Sequence, residues 1–464
     1  MQLARKPAGT LDLAARTALS TLLLILATVC IPGSIHATTF TVDTTSVDQG
    51  DLNPGDGKCE WSTSVPVGQR CTLRAAIQES NALTGADIII IPFNANIVLS
   101  RPGRNEDAGD TGDLDITDSL TVTTPAGSSR ELWPVVDANG IDRVFDVHAG
   151  ATDVTFYNLV IKNGKADDAT TYAGGGIRAD YATAGGTLTV AACEIVNNVA
   201  NFGAGIYTAR GLSMSQSDVH ANTVFGYGFS NPDGSAIRTP DGSSTGDISI
   251  DSTSIHDNQA LSSPGPNPVP LPYASALGFR YIAVGIRNST ISDNTGVGLT
   301  NYFSSVSLNH VTITGNGDTG YVLYNAGPTA ETSTLRNSII AGNGTADCSF
   351  SAGWSYDHAY SLDGDGSCHL DSGTGNLSGV DPRLAPLAPS RYRELPVHVL
   401  LAGSPAIDSA DPQMDGSGGS CLIEDEDGVW RPLDGNGGGA RCDMGAMEFI
   451  DLIFADGFEP LTGG

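Results

Sequence analysis

The sequence is poor in charged residues, and basic residues are the scarcer kind. Asp, Glu, Lys and Arg make up only 16% of the 464 residues, against about 25% in an average globular chain. Only 23 Lys and Arg stand against 52 Asp and Glu, which gives a formal net charge of −29. A protein that neutralises nucleic-acid phosphates needs clustered basic residues. The composition therefore predicts no nucleic-acid partner.

Motifs of several common enzyme classes are missing as well. The sequence has no G-x-S-x-G, no H-E-x-x-H and no phosphate-binding loop. It thus lacks the signatures of many hydrolases, metalloproteases and nucleotide-binding proteins. Cysteine pairs at C-x-x-C spacing, typical of metal sites, are absent. After residue 37, no apolar run is long enough to span a bilayer as a helix.

The amino terminus has the features of an export signal. Basic residues precede an apolar run over 18–31, and Ile35-His36-Ala37 is a weak form of the small-residue cleavage pattern. We predict a signal peptide over residues 1–37, with an uncleaved membrane anchor as the alternative. The mature protein is then expected to be soluble and monomeric, either secreted or held at the cell surface.

The middle of the chain repeats a short pattern. Alternating β-branched and polar residues, which predict a strand, lead into an apolar residue, two variable residues and an asparagine. The apolar residue and the mostly small residue two positions before it are both expected to point inward. The asparagines are Asn163, Asn198, Asn222, Asn258, Asn294, Asn316 and Asn343.

This repeat describes a parallel β-helix, in which a strand, a bend at asparagine, a second strand and a return form one coil. Asparagine tolerates the left-handed backbone of a tight bend, and its side chain can bond to the next coil. Insertions lengthen some coils, so the long loops at 225–235 and 261–273 are expected along one functional edge. A β-sandwich or a propeller is the alternative.

Cysteine usage agrees with export, because oxidising compartments favour disulfides. Three sequence-local pairs predict the disulfides Cys59–Cys71, Cys348–Cys368 and Cys421–Cys442. Spacing alone does not fix this pairing, since six cysteines can combine in many ways. Cys193 is left over, and its place in the column of small inward residues favours packing over a nucleophilic role.

Both ends of the chain carry further motifs. D-G-K-C at 56–59 and C-T-L-R-A-A-I at 71–77, which begins a short amphipathic helix, resemble the N-terminal domain of exported bacterial proteins named for a C-S-L-R-E-A motif. V-D-P-R-L at 380–384, G-S-P-A-I-D at 403–408 and C-D-M-G-A-M-E at 442–448 resemble their choice-of-anchor region. The resemblance implies an exported right-handed parallel β-helix and supplies no catalytic residues.

We therefore predict an all-β chain with one right-handed parallel β-helix as a single solenoid. A short N-terminal capping helix and a Gly/Asp-rich C-terminal cap close it. The predicted organisation is a signal peptide (1–37), a disulfide-bonded N-terminal cap (38–85), β-helix coils (86–345), the C-terminal cap (346–449) and a tail (450–464).

Asp113 and Asp115 are the first candidate site residues. They alternate along one strand within an acidic segment and would share a face. Carboxylate oxygens are ligands that Ca²⁺ prefers. Ca²⁺ binding is therefore a hypothesis, and a solvated acidic edge is the alternative.

Histidines supply a second candidate. His220 and His256 occupy the same position in consecutive coils, and Asp257 and Asp293 follow one position later. A binding or catalytic pair would need the bend to turn these aspartates toward the histidines.

A third candidate is a row of outward residues. Arg178, Tyr207 and Arg238 each follow an inward isoleucine in successive coils. Guanidinium and phenol groups side by side can stack on and hydrogen-bond to sugar rings. Ordinary surface filling is the alternative.

The sequence favours a non-enzymatic secreted or surface protein that presents an extended face for carbohydrate binding or adhesion. A polysaccharide lyase or glycoside hydrolase is the first alternative, and it would need carboxylates converging beside Arg178, Tyr207 and Arg238. A stalk or matrix component is the second alternative, and it predicts no pocket.

Overall fold

The computed structural model describes residues 37–450, apart from a set of short gaps. The gaps are 105, 128, 169–171, 184, 227–232, 243, 265–267, 304, 325–332, 352–355, 415–419, 436 and 438. The predicted signal peptide, except Ala37, and the predicted tail, except residue 450, lie outside the described residues, as do parts of both long loops. No helix in the described part of the chain is both long and apolar enough to cross a membrane.

Stacked parallel strands form three faces, which confirms the parallel β-helix. Faces 1 and 2 share one hydrogen-bonded sheet of 19 strands. Face 1 consists of Thr39–Thr41, Asp87–Ile90, Leu120–Thr123, Val154–Tyr157, Thr187–Ala191, Gly211–Ser215, Ile248–Asp251, Ser333–Arg336 and Tyr356–Ala359. Face 2 consists of Asn96–Val98, Val135–Asp137, Val160–Lys162, Glu194–Val196, Asp218–His220, Ser254–His256, Ile339–Ala341 and Leu362–Asp363. Val284–Ser292 and Val306–Thr314 bend from face 1 into face 2.

Face 3 is a separate nine-stranded parallel sheet. Its strands are Leu114–Ile116, Phe145–Val147, Ile177–Ala179, Ile206–Thr208, Ile237–Arg238, Ser275–Arg280, Val297–Tyr302, Thr319–Tyr324 and Ala346–Phe350. A short sheet of Lys165–Ala166, Val199–Ala200, Thr223–Phe225 and Gln259–Leu261 lies between faces 2 and 3. A two-stranded antiparallel ribbon, Ala388–Pro389 with Pro396–Val397, completes the strands.

An asparagine ladder marks the turn after face 2. Each ladder asparagine donates its side-chain amide to the side-chain carbonyl of the next asparagine, at 2.9–3.0 Å. Asp347 accepts the last of these bonds from Asn343, at 3.0 Å. The ladder runs through Asn198, Asn222, Asn258, Asn294, Asn316 and Asn343. Stacked buried amides thus satisfy one another and fix the register between coils.

Asn163, the first of the seven predicted asparagines, was assigned to the repeat wrongly by one residue. Ile161, not Val160, pairs with the inward Ile195, so Gly164 occupies the ladder position. Gly164 donates its backbone N–H to Asn198 Oδ1 at 2.8 Å. Asn163 instead adopts a left-handed backbone with φ 58°, where asparagine is well tolerated.

The inward residues build one continuous apolar core from Phe40 to Leu370. Ile195, Val219 and Ile255 are fully buried, as the repeat pattern predicts. Cys193 is buried and is the free cysteine among the described residues. Burial raises the pKa of its thiol to about 12, so Cys193 is a packing residue and not a thiolate nucleophile.

The N-terminal cap contains the helix Leu73–Ala82, whose N-cap Thr72 accepts the Ala75 N–H, and the disulfide Cys59–Cys71. Buried Arg74 pairs with Asp48 at 2.7 Å and donates to the carbonyl oxygens of Gly109 and Asp113. The cap therefore closes the first coils and also holds the segment that leads into face 3.

The C-terminal region continues the solenoid and then folds back along it. Strands remain in register as far as Leu362–Asp363, and the predicted disulfides Cys348–Cys368 and Cys421–Cys442 are present. We call the described residues of 384–449 the strap. Ser254 on face 2 donates to the strap's Pro396 carbonyl at 2.6 Å, and Ala446 donates to Thr312 at 3.0 Å. The Gly/Asp-rich region thus covers a flank of face 2.

Candidate functional site

Outward residues of five successive strands form one row on face 3. Asp115 pairs with Asp146, Asp146 with Arg178, Arg178 with Tyr207, and Tyr207 with Arg238. The flanking positions in each strand are apolar or small and point inward, which forces these residues outward. The structure therefore joins Asp115 of the first sequence candidate to the Arg–Tyr–Arg row of the third.

A cleft of about 660 Å³ lies over this row. The lining consists of carboxylates, guanidinium groups and phenol rings. The carboxylates belong to Glu106, Asp107, Asp146 and Asp180, the guanidinium groups to Arg143 and Arg178, and the phenol rings to Tyr172, Tyr181 and Tyr207. A volume of this order suits a small ligand or a few sugar units.

Three carboxyl groups converge at Asp146, the one of the three that lines the cleft. One oxygen from each of Asp113, Asp115 and Asp146 lies within 4.8 Å of the others. All three residues are at most 2% exposed. Asp115 Oδ2 and Asp146 Oδ1 are buried without a hydrogen-bond partner among the described residues. Like charges directly opposite on neighbouring strands destabilise a sheet, so this arrangement needs counter-charges.

Two arginines and a histidine supply the counter-charges. Arg143 Nη1 lies 3.0 Å from Asp113 and 3.4 Å from Asp146. Arg178 bridges Asp146 at 2.8 Å and Asp180 at 2.6 Å. His148 Nε2 lies 2.6 Å from Asp115 Oδ1.

Several groups in the cluster have shifted pKa values. Burial raises the pKa of Asp113 well above its usual range and also raises the pKa of Asp115. Burial raises the pKa of Asp142, beside Arg143, to about 6. The hydrogen bond to Asp115 raises the pKa of His148. Carboxyl groups with raised pKa beside charged partners are a feature of acid–base sites.

Sequence reasoning missed Asp146, His148 and Asp180. A signal was available, because F-D-V-H at 145–148 and I-R-A-D at 177–180 alternate inward and outward residues in the same way. In that pattern Asp146 and His148, like Arg178 and Asp180, must face outward together. What the sequence did not reveal was which coils are neighbours across the inserted loops.

Arg238 occupies the predicted row but is not open to solvent. Its side chain is 3% exposed and pairs with Asp241 at 2.5 Å. Its guanidinium lies over the Phe202 ring, 4.4 Å from the centroid. Arg178, at 29% side-chain exposure, and half-buried Tyr207 are the members of the row that line the cleft. Burial raises the pKa of Tyr207 to about 12, so its phenol stays protonated as a hydrogen-bond donor.

The histidine pair lies on face 2, away from this cleft. His220 and His256 stack with ring centroids 5.0 Å apart. His220 bonds Glu194 at 3.2 Å, while His256 bonds Asp218 at 3.0 Å and Asp257 at 2.8 Å. The left-handed bend at Asp257 turns its carboxylate back toward the histidine.

The strap lies close to this pair, since Ser254, two residues before His256, bonds Pro396. His256 itself is 7% exposed. Because both rings already bond to carboxylates of neighbouring coils, the pair suits a structural contact between coils better than ligand binding.

Stacked parallel faces with a polar cleft on one of them define a parallel β-helix protein with a pectin-lyase-like fold. A crystal structure of the pectate lyase Pel9A has this fold, with a TM-score of 0.50 over 90% of this chain and 98% of that chain. The identity is 14%, so the likeness shows the fold alone. No family model matches the chain, and no curated protein does.

Proposed function

We propose that the protein is exported and that the face-3 cleft binds an extracellular polysaccharide. The observation that carries this proposal is the in-register row of Asp146, Arg178 and Tyr207 along the cleft. Carboxylate and guanidinium groups accept from and donate to sugar hydroxyls, and a tyrosine ring supplies an apolar surface. Three disulfides support an oxidising, extracellular setting. A stalk would need no such cleft.

The charge of the cleft narrows the ligand class. Both lining arginines are already paired with carboxylates, and the remaining lining charges are acidic. An acidic cleft repels polyuronates unless a cation intervenes. We therefore propose neutral polysaccharides as the first ligands to test.

Replacing Arg178 by alanine is expected to weaken binding of a neutral polysaccharide about tenfold, the scale of one lost hydrogen bond to a charged group, and Tyr207→Ala is expected to have a smaller effect because its phenol is neutral. Titration calorimetry against galactomannan, xyloglucan and arabinan measures this. Arg287→Ala is the matched control, because Arg287 is 55% exposed and pairs with Asp251 on face 1. Equal affinity of all variants and the wild type would overturn the proposal.

Glycosidic bond cleavage is the second candidate function. The specific observation is that Asp146, which lines the cleft beside Arg178 and Tyr207, lies within 4.8 Å of the carboxyl groups of Asp113 and Asp115. Burial raises the pKa of Asp115, which shares a proton with His148 at 2.6 Å, while Asp146 is paired with Arg178. A proton donor beside an ionised carboxylate is the pair that glycoside hydrolysis uses. A lyase would instead eliminate across the sugar ring.

A divalent cation would change this chemistry. The sequence predicts Ca²⁺ at Asp113 and Asp115, but Arg143 already pairs with Asp113 at 3.0 Å. The unpartnered oxygens belong to Asp115 and Asp146, so we propose these two residues as the ones that would hold Ca²⁺. The ion would offset the negative charge of the cleft and admit acidic sugars.

Incubation with a polysaccharide panel, with and without Ca²⁺, tests cleavage. Hydrolysis is expected to give new reducing ends without Ca²⁺, and Asp115→Asn is expected to lower the rate by about a hundredfold or more. Elimination would give unsaturated products that depend on Ca²⁺. Asp251→Asn, on face 1, is the control. Absence of both products under all conditions would leave polysaccharide binding alone as the function.

A further inference from the structure

Four aromatic residues form a ridge on face 3, in the coils toward its C-terminal end. We define the ridge as Tyr281, Tyr302, Phe303 and Tyr324, which lie at the ends of three successive strands. Tyr302 pairs in register with Tyr324, and their rings stack with centroids 4.7 Å apart. Tyr281 and Phe303 form a second stack at 5.0 Å. The two stacks meet where the Tyr302 and Phe303 rings lie 6.2 Å apart and are tilted by 40°.

The ridge is exposed, although the core of the same strands is not. Tyr281 is 50% exposed, Tyr324 42% and Phe303 37%. The inward aromatic residues Phe279 and Tyr321 are buried. Large apolar side chains clustered on a surface indicate a binding surface more often than single exposed ones do.

The backbone at the ridge is unfavourable for aromatic residues. Tyr281 has φ 53° and Phe303 has φ 63°, both in the left-handed region. That region is costly for bulky residues and well tolerated by asparagine, which occupies it at Asn94 and Asn139. The fold alone would therefore be served better by asparagine at both positions.

The charges around the ridge are already paired. Arg280 lies over the Tyr302 ring, 4.0 Å from the centroid, and pairs with Asp241 at 3.0 Å and Asp233 at 3.6 Å. The ridge therefore offers ring surface and phenol hydroxyl groups without an unpaired charge. This combination fits a ligand that has both apolar C–H faces and hydroxyl edges, which is an uncharged sugar.

We propose that the ridge is a second carbohydrate-binding subsite, which holds uncharged sugar units of the same polysaccharide chain that enters the cleft. This inference rests on the proposed function. The strand of Arg178 and the strand of Tyr302 belong to the same sheet and are four coil steps apart. At about 4.8 Å per step, the two sites lie roughly 19 Å apart along the solenoid. Only an extended chain can contact both.

The test compares long chains with short fragments. Affinity electrophoresis in gels that contain galactomannan, xyloglucan or arabinan measures binding to the long chains. Calorimetry with trisaccharides of each polysaccharide measures binding to the short fragments. The double variant Tyr281→Asn, Phe303→Asn is expected to bind the long chain about fivefold more weakly and the trisaccharide as the wild type does. Because asparagine suits both backbone positions, its melting temperature should not fall. Tyr157→Asn, an exposed tyrosine on face 1, is the control.

Each outcome decides between the two proposals. Arg178→Ala should weaken binding of both the long chain and the trisaccharide. If the wild type binds no polymer, the cleft and the ridge proposals are overturned together. Long-chain binding that survives in the ridge variant overturns the ridge alone. A concentration-dependent dimer in sedimentation that the ridge variant abolishes would identify the ridge as a contact between two copies, and the carbohydrate proposal would then be rejected.

Discussion

Replacement of Arg431 by methionine is expected to destabilise the protein by about 3–5 kcal/mol, the usual effect of removing one partner of a buried ion pair. Arg431 Nη1 lies 2.9 Å from Glu448, and both side chains are fully buried. The guanidinium also donates to the carbonyl oxygens of Asp443, Gly445 and Ala446. Without it, one carboxylate and three carbonyls inside the strap lose a partner.

The loss should be concentrated in the strap. Gly445 donates to the Asn337 carbonyl at 2.7 Å and Ala446 to Thr312 at 3.0 Å, so the carbonyls that Arg431 orders belong to the residues that attach the strap to face 2. Hydrogen exchange should therefore rise at 443–448 before it rises in the core strands.

Chemical denaturation and hydrogen exchange together check this prediction. Arg287→Met is the matched control, because the exposed pair of Arg287 with Asp251 contributes at most about 1 kcal/mol. Arg431→Lys keeps the charge but cannot reach every acceptor, so its loss of stability should lie between those of Arg431→Met and Arg287→Met. If Arg431→Met were as stable as the control, the strap would owe its position to other contacts.

The coil architecture was predictable because its cause is local. Period-two alternation and a stacked asparagine are properties of short segments, so Asn198 to Asn343 could be aligned without knowing the loops. The prediction failed at Asn163 because the ladder bond in that coil is made by a backbone group and not by a side chain. Gly164 joins the ladder by donating its backbone N–H to Asn198, which leaves no mark in the side-chain pattern.

The site was predictable only in part because it depends on which coils are neighbours. Arg178, Tyr207 and Arg238 follow isoleucines in similar contexts, and the sequence aligned them correctly. Asp115 and Asp146 lie in less regular coils, and their approach depends on Arg74 and Asn81 of the N-terminal cap, which bond to the backbone of Asp113 and Asp115. The burial of Arg238 depends on Phe202 and Asp241, which no local pattern connects to it.

The second large effect is expected at Arg143, which holds the carboxyl cluster together. Its Nη1 lies between Asp113, Asp142 and Asp146, at 3.0, 3.8 and 3.4 Å, and its side chain is 7% exposed. Arg143→Gln should destabilise the protein by about 3–5 kcal/mol at pH 8, because it removes the guanidinium that pairs with the buried carboxyl groups of Asp113 and Asp142. The cleft residues Asp146 and Arg178 would then lose their fixed position.

The pH dependence distinguishes this cause from simple loss of packing. Burial raises the pKa of Asp142 to about 6 and that of Asp113 well above its usual range. Because these pKa values are raised in the folded state, the contribution of the two carboxyl groups to stability is fully present below their unfolded-state pKa and is lost as pH rises through the folded-state values. Removing the guanidinium makes the charged state costlier still, so the deficit of Arg143→Gln should shrink between pH 8 and pH 5.

Urea denaturation at pH 5 and pH 8, in buffer with a chelator so that no divalent cation replaces the guanidinium, measures the deficit directly. Arg336→Gln is the control, since Arg336 forms a more exposed pair with Asp357 and should lose at most about 1 kcal/mol at either pH. A deficit at Arg143 that stays constant from pH 8 to pH 5 would show that the side chain contributes through packing. A deficit that shrinks with acid would show that the fold tolerates this carboxyl cluster only while a cation or protons neutralise it, as expected of a site kept for binding or acid–base chemistry.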